Sequence, residues 1–176
     1  MMIMNTSHAN DANIERTQPP SLLWHGIVFN VIWFLIVIMQ WSTAAALVAL
    51  IWFALTPPRA ITLKLIVSLA SIGIIADFTF ISMNLFVFND ATINPLWLGV
   101  LWVSFARFAF IFLQHWPLPY WHLALISAVS GPFSYYVGHL KQAVIIQLQL
   151  LPQVILFVLF WACVLPLALY IWRKFS

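Results

Sequence analysis

The chain has 176 residues, of which 64% are hydrophobic and only 6% are charged, and its net charge at pH 7 is +3. A soluble domain carries about 25% charged residues, so this composition excludes a water-soluble globular protein. The few Lys and Arg residues stand mostly near the ends of apolar runs rather than in a cluster, and we therefore predict no nucleic-acid partner. The composition predicts an all-α, polytopic integral membrane protein.

The apolar runs predict about six transmembrane helices, since a spanning helix needs about 20 mostly apolar residues. A polar cytoplasmic tail at 1–20 precedes a single transmembrane domain at 21–176. The second span is short, and the third is long enough to overshoot a membrane. The segment 139–151 is either an interfacial helix or an extension of the last span, and both interpretations stay open. The predicted spans are 22–39, 42–55, 61–88, 96–114, 121–138 and 152–172.

Basic residues near the span ends predict the orientation of the chain, because cytoplasmic loops carry an excess of Lys and Arg. With the N-terminus inside, only Lys141 falls in an outer segment. An even number of spans then puts both termini in the cytoplasm. The basic residues on the inner side are Arg16, Arg59, Lys64, Arg173 and Lys174.

Asp77 lies in the third span and is the only acid within any apolar run. Ionisable groups inside a membrane are candidate functional residues because they are costly to bury there. We predict that Asp77 faces other protein. Asn84 follows it by seven residues, on nearly the same helix face, and Tyr135 lies toward the outer end of the fifth span. The three residues predict a ligand-binding site for a head group or a proton, or alternatively hydrogen bonds that only fix helix packing.

Two further polar residues inside apolar runs are candidates for the same pocket. Arg107 is the only Arg inside a run, but its depth differs from that of Asp77 by about 12 Å, so spacing does not imply an ion pair. Arg107 could instead extend to the inner interface. Asn30 lies midway along the first span, where it could line the pocket or bond across a helix pair.

The fifth span contains Gly131 and Pro132 in its middle. A proline there removes a helical hydrogen bond, so we predict a structural kink at this pair. Small residues spaced four apart nearby would let a neighbouring helix approach closely, which gives a packing interpretation of the same stretch.

The sequence gives little support to catalysis. There is no His-x-x-x-His, no His-Glu-x-x-His, no Cys pair and no Gly-x-Ser-x-Gly, and the chain has only four acids. We therefore predict no metal, no cofactor and no catalytic residues. An enzyme is disfavoured but not excluded, since one Asp and one His are enough for acid–base chemistry.

Two short patterns resemble a known family. One is Gly131-Pro132-x-x-Tyr135-x-x-Gly138, followed by Leu140 one residue earlier than in the pattern; the other is the third-span Asp77 after Gly73. They are similar to a family of small bacterial inner-membrane proteins known only as a domain of unknown function. The resemblance covers about 22–172 and implies a multi-pass protein of the bacterial inner membrane.

The resemblance also bears on function. Members of that family are often encoded near fatty-acid-modifying enzymes such as cyclopropane synthases, which implies a lipid-linked role. It transfers no catalytic residues, and Arg107 is not part of its pattern.

The leading prediction is a non-enzymatic inner-membrane protein that binds a lipid or apolar small molecule, as an accessory to membrane-lipid modification. Its predicted partners are membrane lipids and a membrane or lipid-modifying protein, and an oligomer is compatible with the sequence. One alternative is a small transporter that uses Asp77 as a proton or cation site, although we see no inverted repeat. Another is a structural subunit of a membrane complex, in which Asp77 bonds across helices.

Overall fold

A computed structural model of the chain describes residues 21–88, 95–116, 118–147 and 151–175. Within these residues the chain forms six helices and one two-stranded antiparallel ribbon. The predicted helical class is confirmed, and the ribbon is an addition that the sequence analysis did not predict. The elements are α1 (Leu22–Val37), α2 (Ser42–Leu55), α3 (Ala60–Ser82), β1 (Phe86–Phe88), α4 (Pro95–His115), α5 (Tyr120–Leu140), β2 (Val144–Ile146) and α6 (Leu151–Phe175).

Three of the described helices are long and apolar enough to cross a membrane, namely Ala60–Ser82, Trp97–His115 and Leu151–Phe175. The helices α1 and α2 are apolar but have only 16 and 14 residues. At about 1.5 Å per residue they are shorter than the hydrocarbon core of about 30 Å. The helix α5 has 21 residues but more polar ones.

The predicted third helix at 61–88 was too long, because α3 ends at Ser82. Asn84 there adopts a left-handed backbone conformation with φ of 54°. The amide of Leu85 donates to the Phe80 carbonyl, and that of Asn84 donates to the Ile81 carbonyl, as in a common helix-ending turn. The chain then enters β1. Since the whole run is apolar, hydropathy could not show where the helix stops.

The described residues 141–147 after α5 form neither the interfacial helix nor the helix extension that we considered. Gln142, with φ of 58°, ends α5 in the same kind of turn as Asn84. Strand β2 follows and pairs antiparallel with β1, with Val87 opposite Ile145. The ribbon joins the ends of α3 and α5. We call this side of the bundle the ribbon end and the side of Leu22 and Phe175 the opposite end.

The units α3–β1–α4 and α5–β2–α6 are two copies of one arrangement. Both α3 and α5 run toward the ribbon end, and α4 and α6 run back from it. Equivalent positions are 58 residues apart, including the pair at the centre of the ribbon. The chain thus contains a parallel structural repeat, which the sequence analysis did not detect. The equivalent pairs are Gly73 and Gly131, Asp77 and Tyr135, Ser82 and Leu140, Asn84 and Gln142, and Val87 and Ile145.

The helix α4 is central, because it packs against α1, α2, α3 and α6, whereas α5 packs mainly against α6. The larger core lies among α3, α4, α5 and α6, with Trp102 and Trp161 buried within it. The smaller core joins α1 and α2 to one face of α4. The two repeat units therefore meet through buried indole rings, and the α1–α2 hairpin is added at the side.

Candidate functional site

Asp77 is completely buried at the interface of the two repeat units. Its Oδ2 accepts a hydrogen bond of 2.6 Å from Trp102 Nε1, and its Oδ1 accepts one of 2.5 Å from the Tyr135 hydroxyl. Asp77 therefore faces other protein, as we predicted, and the structure brings it together with Tyr135. Because both carboxylate oxygens are occupied, Asp77 fixes the positions of one ring from α4 and one from α5.

Glycines one helical turn before Asp77 and Tyr135 make this arrangement sterically possible. A Cβ at Gly73 would lie 2.3 Å from the Trp102 ring, and one at Gly131 would lie 1.9 Å from the Trp161 ring. Each glycine thus lets an indole lie directly against its helix. The two indoles stack on each other, with ring centroids 5.3 Å apart and planes 9° apart.

The two repeat units differ in how their tryptophans are hydrogen-bonded. Trp102 donates to Asp77 of its own unit. The residue of the second unit that is equivalent to Asp77 is Tyr135, and its hydroxyl donates to Asp77. Trp161 Nε1 is buried and has no hydrogen-bond partner among the described residues. One carboxylate thus serves both units of the repeat.

A cavity of about 410 Å³ lies between α1, α4, α5 and α6. Its volume is within the range of about 300–1,000 Å³ that is usual for small-molecule sites. Trp102, Tyr135 and Trp161 form its inner wall, whereas Asp77 does not line it. Asp77 is therefore a positioning residue behind the wall. The remaining lining residues are Phe29, Asn30, Trp33, Leu101, Phe105, Phe108, Ala109, Phe112, Ile126, Ser130, Gly131, Phe133, Ser134 and Leu165.

The large cavity opens to the surface between α1 and α5. Toward the ribbon end, Trp33 Nε1 donates to the Ser134 hydroxyl at 2.7 Å, and Gln40 Nε2 donates to the Lys141 carbonyl at 3.0 Å. Farther from the ribbon, the cavity-lining residues Asn30 and Ser130 are exposed. The two helices are thus bridged near the ribbon, and the cavity is accessible from the side below these bridges.

The structure separates the other predicted site residues from Asp77. Asn84 was wrongly placed on the face of Asp77, because it lies in the exposed turn after α3 and does not line this cavity. Asn30 does line the large cavity, but its Nδ2 donates to the Gly26 carbonyl of its own helix at 2.8 Å. Pro132 lies inside α5, which continues to Leu140, and the kink stays a prediction.

Arg107 lies toward the opposite end and makes no ion pair with Asp77. Its Nη2 donates to the carbonyl and, at 2.7 Å, to the hydroxyl of Thr56, the residue that ends α2. The guanidinium also lies over the rings of Trp52 and Phe53, at 4.5 and 4.2 Å from their centroids. Because a cation is favourable at a helix C-terminus, Arg107 stabilises the junction of α2 and α4.

We expect Arg107→Lys to lower the free energy of unfolding by about 1–3 kcal/mol, since a lysine cannot reproduce the paired bonds and the stacking. Thr56→Val, which keeps the carbonyl acceptor, should cost less, about 0.5–1.5 kcal/mol. Thermal unfolding of both variants in detergent, followed by tryptophan fluorescence, gives the order. Equal stability of Arg107→Lys and the unmodified protein would contradict the assigned role.

The sequence analysis did not identify Trp102 and Trp161 as site residues, although their positions in the sequence indicated such a role. Both stand within long apolar runs rather than at the run ends where an aromatic belt lies. A buried indole usually needs an acceptor for its N–H group, so a mid-span tryptophan is a candidate partner for an intramembrane carboxylate.

Comparison with known proteins gives one match. Residues 22–167 match a family model described as a protein of unknown function (DUF2878). No curated protein and no solved structure matches the chain. The match runs from the first residue of α1 into α6, so the predicted resemblance to an uncharacterised family is confirmed.

Proposed function

The chain belongs to the DUF2878 family of proteins of unknown function, and we propose that it is a non-enzymatic membrane protein that binds a lipid or an apolar small molecule. The bound molecule occupies the large cavity. The observation that carries the proposal is the cavity of about 410 Å³, which is lined mainly by aromatic and aliphatic side chains and has few polar groups. Such a lining is typical of sites for apolar ligands.

The rigidity of the cavity wall supports binding rather than loose packing. Asp77 holds Trp102 and Tyr135 in fixed positions, and Trp161 is held by its stack on Trp102. A wall that is ordered before the ligand arrives lowers the entropic cost of binding. The site also lies between the two repeat units, where repeat-built membrane proteins commonly bind their ligands.

The position of Asp77 favours binding over ion-coupled transport. A proton or cation site needs a carboxylate that the transported species can reach. Asp77 is completely buried, does not line the large cavity and has both oxygens occupied by side chains. We therefore assign Asp77 to the architecture of the wall, and the ligand itself contacts Trp102 and Tyr135.

The proposed orientation places the opposite end in the cytoplasm of a bacterial inner membrane, with six membrane-crossing or membrane-embedded helices. Four basic residues at that end support it, against Lys141 at the ribbon end. The side opening between α1 and α5 then faces lipid, so an apolar molecule reaches the cavity from the bilayer. The four basic residues are Arg59, Lys64, Arg173 and Lys174.

A matched pair of substitutions on α5 tests the proposal. Ser130 lines the cavity near its opening, whereas its neighbour Val129 is 69% exposed and does not line it. We expect Ser130→Phe to fill the cavity and reduce ligand retention by at least about tenfold, and Val129→Phe to leave it unchanged.

Native mass spectrometry of delipidated protein, after incubation with a bacterial polar lipid extract, measures retention directly. A protein that retains no apolar molecule overturns the proposal. Equal retention by the two variants would show that lipids bind elsewhere on the surface, and it would overturn the assignment of the cavity.

A further inference from the structure

A second, smaller cavity of about 120 Å³ lies at the ribbon end, directly above the large one. The two cavities share Leu101, Ser134 and Tyr135 as lining residues, so they lie next to each other. The smaller cavity also has polar side chains around it, those of Gln40, Ser42 and Gln142. An apolar cavity and a smaller cavity with polar side chains thus lie side by side.

The polar end is uncharged. Among the described residues, no Lys, Arg, Asp or Glu lines either cavity. The carbonyl of Lys141 accepts from Gln40 Nε2. Carboxamides and hydroxyls both donate and accept hydrogen bonds, which matches the hydroxyl groups of an uncharged head. An anionic head would lack a cationic partner here.

Gln40 and Gln142 occupy backbone positions that disfavour them. Their φ angles are 57° and 58°, in the left-handed region where glycine is far less costly. The exposed carboxamide of Gln142 has no hydrogen-bond partner within the described part of the chain. Both glutamines line the small cavity, and the carboxamide of Gln142 can both donate and accept a hydrogen bond there.

We propose that the ligand is a single-chain amphiphile with an uncharged, hydroxyl-bearing head, which the side chains of Gln40 and Gln142 bind at the ribbon end. Its chain lies against Tyr135, Trp102 and Trp161 in the large cavity. One methylene group occupies about as much volume as a water molecule, about 30 Å³. A cavity of about 410 Å³ therefore accommodates one chain of about 14 carbons. This inference rests on the proposed function, because it identifies the class of ligand for the same cavity.

Three amphiphiles that share a chain of about 14 carbons and differ in their heads test this inference. They are monomyristoylglycerol, myristate and tetradecyltrimethylammonium, each added at the same concentration to delipidated protein in detergent micelles. We expect native mass spectrometry to show retention of the monoglyceride at least about tenfold above the other two. Equal retention of the anion or the cation overturns the head-group inference and leaves the proposed function standing. Retention of none of the three overturns the single-chain inference, and the lipid-extract experiment above decides the proposed function separately.

Two glycine substitutions at equivalent positions distinguish the loss of a ligand-binding side chain from the relief of backbone strain. Gln142→Gly should raise the apparent melting temperature by about 2–4 °C and reduce the preference for the monoglyceride about fivefold. Asn84→Gly relaxes the equivalent turn of the first repeat unit, which lies away from both cavities, and should leave the preference unchanged. An unchanged preference in Gln142→Gly overturns the role of that side chain.

Discussion

Replacing Asp77 by leucine is expected to lower the free energy of unfolding by about 2–6 kcal/mol. The substitution leaves two buried donors, Trp102 Nε1 and the Tyr135 hydroxyl, without their common acceptor, and each buried unsatisfied group costs about 1–3 kcal/mol. The effect should appear as an early loss of tryptophan fluorescence on heating in detergent. It should also abolish ligand retention, because the wall residues are no longer fixed.

Asp77→Asn is the matched control, because asparagine has the same shape and no charge. Its carbonyl oxygen can accept from Trp102, and its amide can donate to the Tyr135 oxygen, which can act as an acceptor. The Tyr135 hydroxyl then loses the acceptor for its own proton, so we expect a loss of about 1–3 kcal/mol, smaller than that of Asp77→Leu. If Asp77→Asn is as unstable as Asp77→Leu, the negative charge itself, rather than the hydrogen bonds, holds the two units together.

A double substitution apportions the loss between the two donors. Adding Tyr135→Phe to Asp77→Leu removes one of the unsatisfied donors while keeping the ring that packs against Phe157 at 5.1 Å. The double variant should then be less destabilised than the sum of the two single variants. Additive losses would mean that the Tyr135 hydroxyl finds another acceptor when Asp77 is gone.

Hydropathy was a good guide to where helices begin and a poor guide to where α3 ends. Polar or proline-containing breaks at Gln40 and at Pro57-Pro58 delimit the first helices, and the predicted and observed bounds of α2 agree. Between Ser82 and Phe88 the sequence has one polar residue, Asn84, and no proline, so the run reads as continuous. The strand there is stabilised by pairing with 144–146, a contact between segments far apart in sequence that no local pattern encodes.

The candidate site was only half visible in the sequence. Asp77 could be found as a lone acid in an apolar run, and Tyr135 followed from the resemblance and from its level in the membrane. Its other partner, Trp102, stands among ten tryptophans that look alike in composition. Trp102 differs from the others in its tertiary contact: its ring lies against Gly73, which has no side chain.

The repeat was hidden for a related reason. Of the equivalent pairs, only the glycines are identical, and the buried acid of the first unit is a tyrosine in the second. The repeat preserves spacing and steric roles rather than residue types. Because the two units share one carboxylate, the site is asymmetric, with an acceptor in one unit and a cavity-lining ring in the other.

Gly131→Ala is expected to lower both stability and ligand retention, because the position has no room for a side chain. A methyl group there would lie 1.9 Å from the Trp161 ring, which is too close for any rotamer of this buried side chain to relieve cheaply. We expect a loss of about 1–3 kcal/mol or more from overpacking. Displacement of Trp161 also breaks its stack on Trp102, so ligand retention should fall together with stability, as measured by native mass spectrometry and thermal unfolding.

Gly99→Ala gives the opposite expectation with the same chemical change. Gly99 lies within α4, and a Cβ there meets no atom within 4 Å, so alanine should stabilise the helix by up to about 1 kcal/mol. Gly131→Ala and Gly99→Ala each add one methyl group to a helix, and they differ in that only the first methyl group meets an indole ring, that of Trp161. If both are stabilising, Trp161 can move away from α5 without loss, and the cavity wall is not the rigid structure that binding requires.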